Sequence, residues 1–399
     1  MSIQSKSKNR MLPVVMISLA LALQQMSMTI VAPFISTYCK SLDGYTPLLA
    51  GLAVGAFGLM QAILQIPFGL LSDKYGNKRI LLTGLAIVII GFIVGFFAKS
   101  IRMLILARVL QGSGAVIGVG YSWVAGLAGD QDRTKAMSVL GAFVSAAAAL
   151  AFAVGPLLRG VMSVSRMFLA GAILLTMNSL YILLFLKDAG DRGKASVPRR
   201  SEISFLLRNR TFVIMNLLAF LNNFMMMSVF YAAPIYMDQV TGQNGMWKIF
   251  VPAILVAVLF MKVTVRWVDQ GYVNAVLLVA FAVSVLSILF YLRPFSFHFL
   301  LLGTTFFLCG YITIATVAAT HVNEVVEDSL RGTGNGIFNS FQYIGNFGGA
   351  LAMGAVWGSS QKAAWLIVTA AGVVGFLLTA LDRRVNTKKA ERKVLEHEK

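Results

Sequence analysis

Two basic residues lie inside long apolar segments of this chain, where an unneutralised charge could act on a bound molecule. They are Arg108 and Lys262. If these segments cross a bilayer, an arginine at the depth of Arg108 costs at least about 2.5 kcal/mol unless it faces protein or water. Arg108 should therefore point inward, either as a charge in the path of a carried molecule or as a clamp between helices. Lys262 could bind an anionic group, or it could extend to the nearer membrane surface.

Neutral side chains on these and other apolar segments complete a candidate binding region. We expect Arg108 to hydrogen-bond Gln24 or Gln25, and the polar candidates are Gln24, Gln25, Gln111, Asn222, Asn223, Asn339 and Gln342. Methionine and aromatic side chains suit an adaptable apolar site, although they also suit plain contact with lipid. The apolar candidates are Met28, Met226, Phe230, Phe306 and Tyr311.

The remaining reactive residue types do not form a catalytic pattern. His298, His321 and His397 are far apart in sequence, and Cys39 and Cys309 have no metal-ligand spacing. Glycine-rich strings between Gly114 and Gly120 should lie inside a helix and serve packing rather than phosphate binding. The sequence therefore predicts neither an enzyme nor a cofactor.

Composition identifies the elements that position these residues. Hydrophobic residues are 58% of the chain and charged residues 13%, which exceeds what a single soluble core can bury. Apolar stretches of the roughly 20 residues that cross a bilayer recur along the chain, and alternating strand patterns of a barrel are absent from the sequence. We predict an all-α membrane protein with twelve transmembrane helices at 11–38, 46–71, 79–98, 102–128, 136–160, 166–187, 211–237, 246–267, 273–292, 297–320, 333–356 and 363–381.

The distribution of charge predicts the orientation. Most of the 34 lysines and arginines fall on one side of the membrane if both termini are cytoplasmic, as the positive-inside rule requires. The basic segment 383–399 lacks the aromatic or base-reading groups of a nucleic-acid site, so its expected partner is the anionic lipid surface of the inner cell membrane. We expect a monomer that binds a small molecule.

A second basic segment divides the chain into two similar halves. We predict a bundle at 1–187, a cytoplasmic linker at 188–210, a second bundle at 211–382 and a tail at 383–399. Pro33 and Pro234 follow alanine near the ends of the first and seventh helices, and Arg133 and Arg331 precede the fifth and eleventh at nearly the same offset. Repeated six-helix halves are typical of transporters that bind their substrate near the midplane.

Three motifs carry a resemblance to a known family. The segment GLLSDKYGNKR at Gly69–Arg79, RVLQGSGA at Arg108–Ala115 and AFAVGPLLRG at Ala151–Gly160 occur in order on the predicted elements. Together they resemble the major facilitator superfamily, and the third resembles the Gly-Pro motif of its drug:proton antiporter branch. The chain is most similar to the YajR-type group, without the soluble domain that this group can carry at its C-terminus.

The resemblance implies roles for particular residues. Asp73 would hold the N-terminus of the eleventh helix, near Gly332, and Arg133 would pair with the same carboxylate, forming a conformational latch. The proposed latch residues are Gly69, Asp73, Gly76, Lys78, Arg79 and Arg133. The alternative is a solvated loop that only sets topology. The family lines its cavity with the first, fourth, seventh and tenth helices.

The fifth helix carries the motif residues Gly155, Pro156 and Gly160, which suit a bendable, closely packed helix. Ala151 and Arg159 replace glycines of the family pattern, which weakens the antiporter assignment. None of the 16 acidic residues falls at mid-membrane, where proton coupling usually needs one.

We expect an alternating-access secondary transporter that exports amphipathic or drug-like molecules in exchange for protons. One alternative is a uniporter, or an exporter of an anionic metabolite or lipid that is not coupled to protons. A second is a membrane-embedded sensor or scaffold that uses the basic tail.

Overall fold

The computed structural model describes residues 3–186, 200–242, 244–293, 296–327 and 330–382. The tail at 383–399 and most of the predicted linker lie outside these ranges. The described chain is almost entirely helical. Its helices are α1 Ile3–Val31, α2 Ile35–Cys39, α3 Pro47–Tyr75, α4 Asn77–Phe96, α5 Ile101–Ser113, α6 Ile117–Val161, α7 Val164–Phe185, α8 Arg200–Arg208, α9 Arg210–Thr241, α10 Trp247–Asp269, α11 Val273–Tyr291, α12 Phe297–Val325, α13 Arg331–Trp357 and α14 Gln361–Leu381.

The predicted all-α membrane fold is confirmed. Within the described residues, eleven segments are long and apolar enough to cross a membrane. The helix α13 has the necessary length, with 27 residues, but its sequence is rich in glycine and asparagine. It matches the predicted helix at 333–356.

Two predicted junctions are wrong. The helix α3 continues to Tyr75 and α4 starts at Asn77, so most of Gly69–Arg79 is helical rather than a loop. The predicted fourth helix is interrupted between Ser113 and Ile117, and the next helix then runs without a break in assignment to Val161. The glycine string therefore starts outside a helix.

Packing explains the position of this interruption. A Cβ at Gly114 would collide with the Gly84 carbonyl oxygen and with Val88, so the chain can approach α4 only because the residue is glycine. The segment 129–135, which we predicted to be a junction, contains no proline and keeps its helical backbone. Gly120 packs closely against Leu21 of α1, as expected for a packing glycine.

The described chain forms two compact units. The first comprises Met1–Tyr45 and Ala56–Val197, and the second comprises Thr46–Gly55 and Pro198–Lys399. The start of α3 thus groups with the second unit, which the predicted division at 188–210 did not anticipate.

Close packing between α1 and α6 organises the first unit. A Cβ at Gly155 would lie 2.9 Å from the Ile30 carbonyl oxygen, so this glycine permits contact between the two helix backbones. Asn178 of α7 donates to the Ala20 carbonyl oxygen at 2.9 Å. These two contacts hold α1 against α6 and α7.

In the second unit, α9 packs against α13 through glycines, and an aromatic cluster joins four helices. Gly345 and Gly349 lie against the carbonyl oxygens of Phe220 and Phe224. The cluster consists of Tyr231, Tyr236, Tyr291, Trp357 and Trp365. Tyr291 and Trp365 stack with ring centroids 4.9 Å apart.

Candidate functional site

The more deeply buried of the two buried arginines described in the first unit is Arg108, in the middle of α5. Its side chain is 3% exposed. The Nη1 atom donates to Gln111 Oε1 at 2.6 Å, and the guanidinium lies 5.0 Å from the centroid of the Phe57 ring. Residues three apart on a helix are neighbours, so the sequence places Gln111 where it accepts this bond. Arg108 thus points inward, as predicted.

Further glutamines of α3 lie on the helix face that meets this arginine. Phe57, Gln61 and Gln65 are spaced four residues apart and so share one face of α3. Gln61 is 2% exposed, and its Nε2 atom has no hydrogen-bond partner among the described residues; the same is true of Gln111 Nε2. The sequence analysis missed Gln61 and Gln65, although their spacing within an apolar run could have identified them.

We call Arg108, Gln111, Gln61 and Phe57 the polar centre of the first unit. A Cβ at Gly91 of α4 would lie 2.9 Å from Gln111 Cγ, so α4 encloses the centre on another side. An amide nitrogen left without a partner in an apolar medium costs at least about 1 kcal/mol. The centre is therefore suited to a polar or anionic group that accepts hydrogen bonds.

The glutamines of α1, which we expected to bind Arg108, have other surroundings. The Oε1 atom of Gln24 is buried and accepts no hydrogen bond from the described residues, so the predicted bond from Arg108 to Gln24 is wrong. Gln25 uses its Nε2 atom to donate to Thr29 Oγ1 at 3.0 Å. The acceptor seen for Arg108 is Gln111, which lies on the same helix at a spacing of three residues.

The polar candidates of the second unit mostly bond to backbone carbonyls. Asn222 of α9 donates to the Tyr311 carbonyl oxygen of α12 at 3.1 Å, whereas Asn223 donates within its own helix to Ala219. Ser228, a residue that we did not predict, donates to the Gly349 carbonyl oxygen of α13 at 3.1 Å. Asn222 and Ser228 therefore connect α9 to α12 and to α13.

The other candidates of the second unit do not form one cluster. Lys262 is exposed on α10, and Asn339 and Gln342 are half-buried on α13. Phe306 packs edge-on against Phe290 of α11 with centroids 5.5 Å apart, which indicates a packing role. Met226 and Phe230 are buried in the second unit, as Met28 is in the first. Tyr311 stacks on Phe307 at 6.1 Å.

The segment Gly69–Arg79 ends one helix and begins another. Asp73 lies half-buried in the last turn of α3. Gly76 has φ 95°, a left-handed conformation that favours glycine, and it separates α3 from α4. Lys78 donates to the carbonyl oxygens of Leu183 and Leu186 at the end of α7. Arg79 is exposed.

The latch itself stays a prediction. The side chain of Arg133 and the surroundings of Gly332 lie outside what the structure describes. Gly69 has no atom within 4 Å of the position that a Cβ would take, so packing does not require glycine there. Lys78, by contrast, has a structural contact within the first unit that the sequence did not reveal.

The fifth-helix motif lies near the end of α6. Pro156 falls inside that helix, and Gly155 contacts α1 as described above. Arg159 is 9% exposed and donates through Nη1 to the Met162 carbonyl oxygen at 3.3 Å. Gly160 is half-buried. The arginine that departs from the family pattern therefore helps to close the end of its own helix.

One acidic residue escaped the sequence analysis. Asp382, just beyond α14, is 1% exposed, and neither carboxylate oxygen has a hydrogen-bond partner among the described residues. Its carbonyl oxygen accepts a hydrogen bond from Asn274 of α11. Asp382 is the last residue of the predicted second bundle at 211–382, and the sequence analysis did not single it out.

Comparisons with known proteins agree with this architecture. A family model described as "Major Facilitator Superfamily" matches residues 17–350. The chain is 27% identical over 341 residues to the inner membrane transport protein YajR of Escherichia coli K12, covering 83% of this chain and 74% of that protein. It is 27% identical over 194 residues to the class G tetracycline resistance protein of Vibrio anguillarum, covering 48% and 49% of the two chains.

A solved structure supports the same fold. A bacterial homologue of the human lysosomal transporter Spinster superposes with a TM-score of 0.75 at 14% identity, covering 95% of this chain and 98% of that one. The motif resemblance, the helical units and the family match all agree. The chain therefore belongs to the major facilitator superfamily, as a multi-pass integral membrane transporter of the secondary type rather than an enzyme.

Proposed function

We propose that this transporter exports amphipathic small molecules by alternating access, in exchange for protons, and that Arg108 provides the principal polar contact to the cargo. The observation that carries the proposal is the burial of Arg108 beside Gln111, at 3% exposure within a membrane-spanning helix. Ionisable residues inside membrane segments are expensive and usually functional.

The surroundings of Arg108 favour a cargo that is part apolar and part polar. The Phe57 ring supplies an apolar surface beside the guanidinium, while Gln61 and Gln111 each present a buried amide nitrogen. A molecule with one hydrogen-bonding group and an apolar body would satisfy both. Similarity to a tetracycline resistance protein supports export of such molecules.

Proton exchange needs a group that loads and releases a proton. The Gly-Pro pair at Gly155 and Pro156 resembles that of proton antiporters, which supports this coupling. Asp382 is the buried carboxylate among the acidic side chains that the structure describes. We therefore assign it as the candidate proton carrier, with Asp73 as the second.

The test is transport by the purified full-length protein in proteoliposomes. We expect an imposed pH gradient to drive accumulation of tetracycline or ethidium, and a protonophore to abolish it. Arg108→Gln should reduce transport at least tenfold, a loss of about 1.4 kcal/mol of binding, whereas Arg102→Gln, at an exposed position on the same helix, should not. Equal activity of the two variants would contradict the role of Arg108.

Coupling is tested separately by counterflow without a pH gradient. If Asp382 carries the proton, Asp382→Asn should lose pH-driven accumulation and keep counterflow. Net uptake into vesicles without unlabelled substrate inside, at a rate that the pH gradient does not change, would reject proton exchange while leaving secondary transport intact.

A second candidate is export of an organic anion, which the buried guanidinium of Arg108 favours. Its planar, permanently charged fork binds carboxylate and phosphate groups in a bidentate geometry. Fluorescein as the probe distinguishes the two candidates, because Arg108→Lys keeps the charge but loses the fork. Selective loss of fluorescein transport in that variant, with ethidium transport retained, would favour the anion exporter.

A further inference from the structure

An apolar groove runs along the second unit between α11 and α14, outside the polar residues considered so far. Its volume is about 350 Å³, within the usual range of ligand sites. Eight of its nine lining residues are apolar. The exception, Thr369, donates its hydroxyl to the Trp365 carbonyl oxygen at 2.9 Å, so it presents no unsatisfied donor to the groove.

Close helix contact forms the floor of this groove. A Cβ at Gly372 would lie 2.5 Å from Val285 Cγ2, and one at Gly375 would collide with the Phe281 ring. The two glycines therefore bring the helix axes together on one side. On the other side, Leu289 is 61% exposed and Val373 is 41% exposed, leaving an open apolar channel in a segment that spans a membrane.

The groove has the length of one lipid leaflet. Its residues on α11 extend from Ala282 to Leu292, which corresponds to about 15 Å at 1.5 Å per residue. Half of the roughly 30 Å hydrocarbon core is the same distance. A single acyl chain could therefore lie along the groove from the membrane surface to the midplane.

Two basic residues lie just beyond one end of the groove, on the same helix faces as the residues that line it. On α14, Lys362 lies seven residues before Thr369, which lies seven before Phe376, so all three share one helix face. On α11, Arg293 follows Leu289 by four residues, just past the helix end. The stacking of Tyr291 on Trp365 shows that these two ends lie at the same side of the second unit. Both cations are exposed.

We propose that this groove is a binding site for an anionic phospholipid, with one acyl chain between α11 and α14 and the phosphate held by Arg293 and Lys362. The apolar groove complements the acyl chain of that ligand, and the positive charge at the open end complements its phosphate. A soluble apolar ligand would not use the cations, and a second protein helix would not need them. The site is separate from Arg108 and does not depend on the proposed cargo.

Native mass spectrometry of the full-length protein, released from mixed micelles, tests the proposal. Phosphatidylglycerol and phosphatidylcholine with identical acyl chains are supplied in equal amounts. We expect the unsubstituted protein to retain phosphatidylglycerol preferentially. Each of Arg293→Gln and Lys362→Gln should lower that preference about fivefold, the effect of removing one basic residue near an anionic lipid surface.

Filling the groove tests the acyl-chain part. Leu289→Trp should reduce retention of both lipids, whereas Leu259→Trp, at a leucine that is 62% exposed on α10, should leave retention unchanged. Lys248→Gln, an exposed lysine at the start of α10, is the charge control. Equal retention by all variants, or equal losses in the controls, would show non-specific lipid contact and overturn the proposal. If the unsubstituted protein forms dimers, and Leu289→Trp loses them without a change in retained lipid, the groove belongs to a second copy and the proposal is overturned.

Discussion

The Nζ atom of Lys78 lies 2.6 Å from the Leu186 carbonyl oxygen, which joins the start of α4 to the end of α7 within the first unit. A second bond of 2.9 Å reaches the Leu183 carbonyl oxygen. These carbonyls lie at a helix C-terminus, where backbone acceptors lack partners and a cation is favoured. The motif residue Lys78 thus has a local structural function in this chain.

Replacing Lys78 should therefore destabilise the protein. We expect Lys78→Met to lower the free energy of unfolding by about 1 kcal/mol, since it removes charge-assisted hydrogen bonds to unsatisfied carbonyls. Thermal unfolding of the purified protein in detergent measures the change. The control is Lys74→Met, because Lys74 is exposed and its Nζ atom lies 5.2 Å from the centroid of the neighbouring Tyr75 ring. An equal melting temperature for both variants would show that the hydrogen bonds of Lys78 do not stabilise the protein.

The two glycines of the same motif should respond differently to alanine. Gly76→Ala places a Cβ in the left-handed region at φ 95°, which costs about 1 to 2 kcal/mol. Gly69→Ala meets no atom within 4 Å and lies within α3, so alanine should be neutral or slightly stabilising there. Melting temperatures of the two variants provide the comparison, and a larger loss at position 69 would show that the motif glycines act in another way.

Asp73 is the residue on which the proposed latch depends. We expect Asp73→Asn to abolish efflux while the protein still reaches the membrane, because the amide keeps the shape of the side chain but loses the charge that a helix N-terminus favours. Asp43→Asn is the control, since Asp43 is an exposed acid whose backbone, not its side chain, pairs with Lys99 and Ile101. Efflux by Asp73→Asn at the unsubstituted rate would remove the latch.

The Gly155 contact with α1 should tolerate no side chain. Gly155→Ala brings a Cβ to 2.9 Å from the Ile30 carbonyl oxygen, and separating two packed helices typically costs about 1 to 3 kcal/mol. Gly126→Ala, also on α6, meets nothing within 4 Å and is the matched control. Thermal unfolding and transport are measured together. Unchanged values for Gly155→Ala would mean that α1 and α6 separate readily at this point.

The hydroxyl of Tyr236 connects two polar groups in the aromatic cluster. It donates to Gln361 Oε1 at 3.0 Å and accepts from Trp365 Nε1 at 3.3 Å. Tyr236→Phe would leave the buried indole without this acceptor, a cost of about 1 to 3 kcal/mol. Tyr272→Phe, at a tyrosine that is 58% exposed, should have no effect on the melting temperature. A similar shift in both variants would indicate a general effect of hydroxyl loss.

Hydropathy and motif order were sufficient to predict the class of fold. The apolar runs predict nearly every helix to within a few residues, because a membrane span must satisfy its backbone internally and has a fixed length. The junctions at Gly69–Arg79 and 129–135 were predicted wrongly because polar composition does not by itself end a helix. Gly76 and Gly114 show where the chain leaves the helical path, and each depends on backbone angle or on a neighbouring backbone.

The inward orientation of Arg108 also followed from sequence alone, since an arginine at that depth has no inexpensive place in lipid. The residues that contact Arg108 could not be predicted from the sequence. Gln111 and Phe57 meet the guanidinium because α3 and α5 pack together, Lys78 reaches the end of a helix more than one hundred residues later, and Asp382 is buried beside Asn274. Contacts between distant segments arise from the packing of whole helices. A local sequence pattern does not show which helix faces meet.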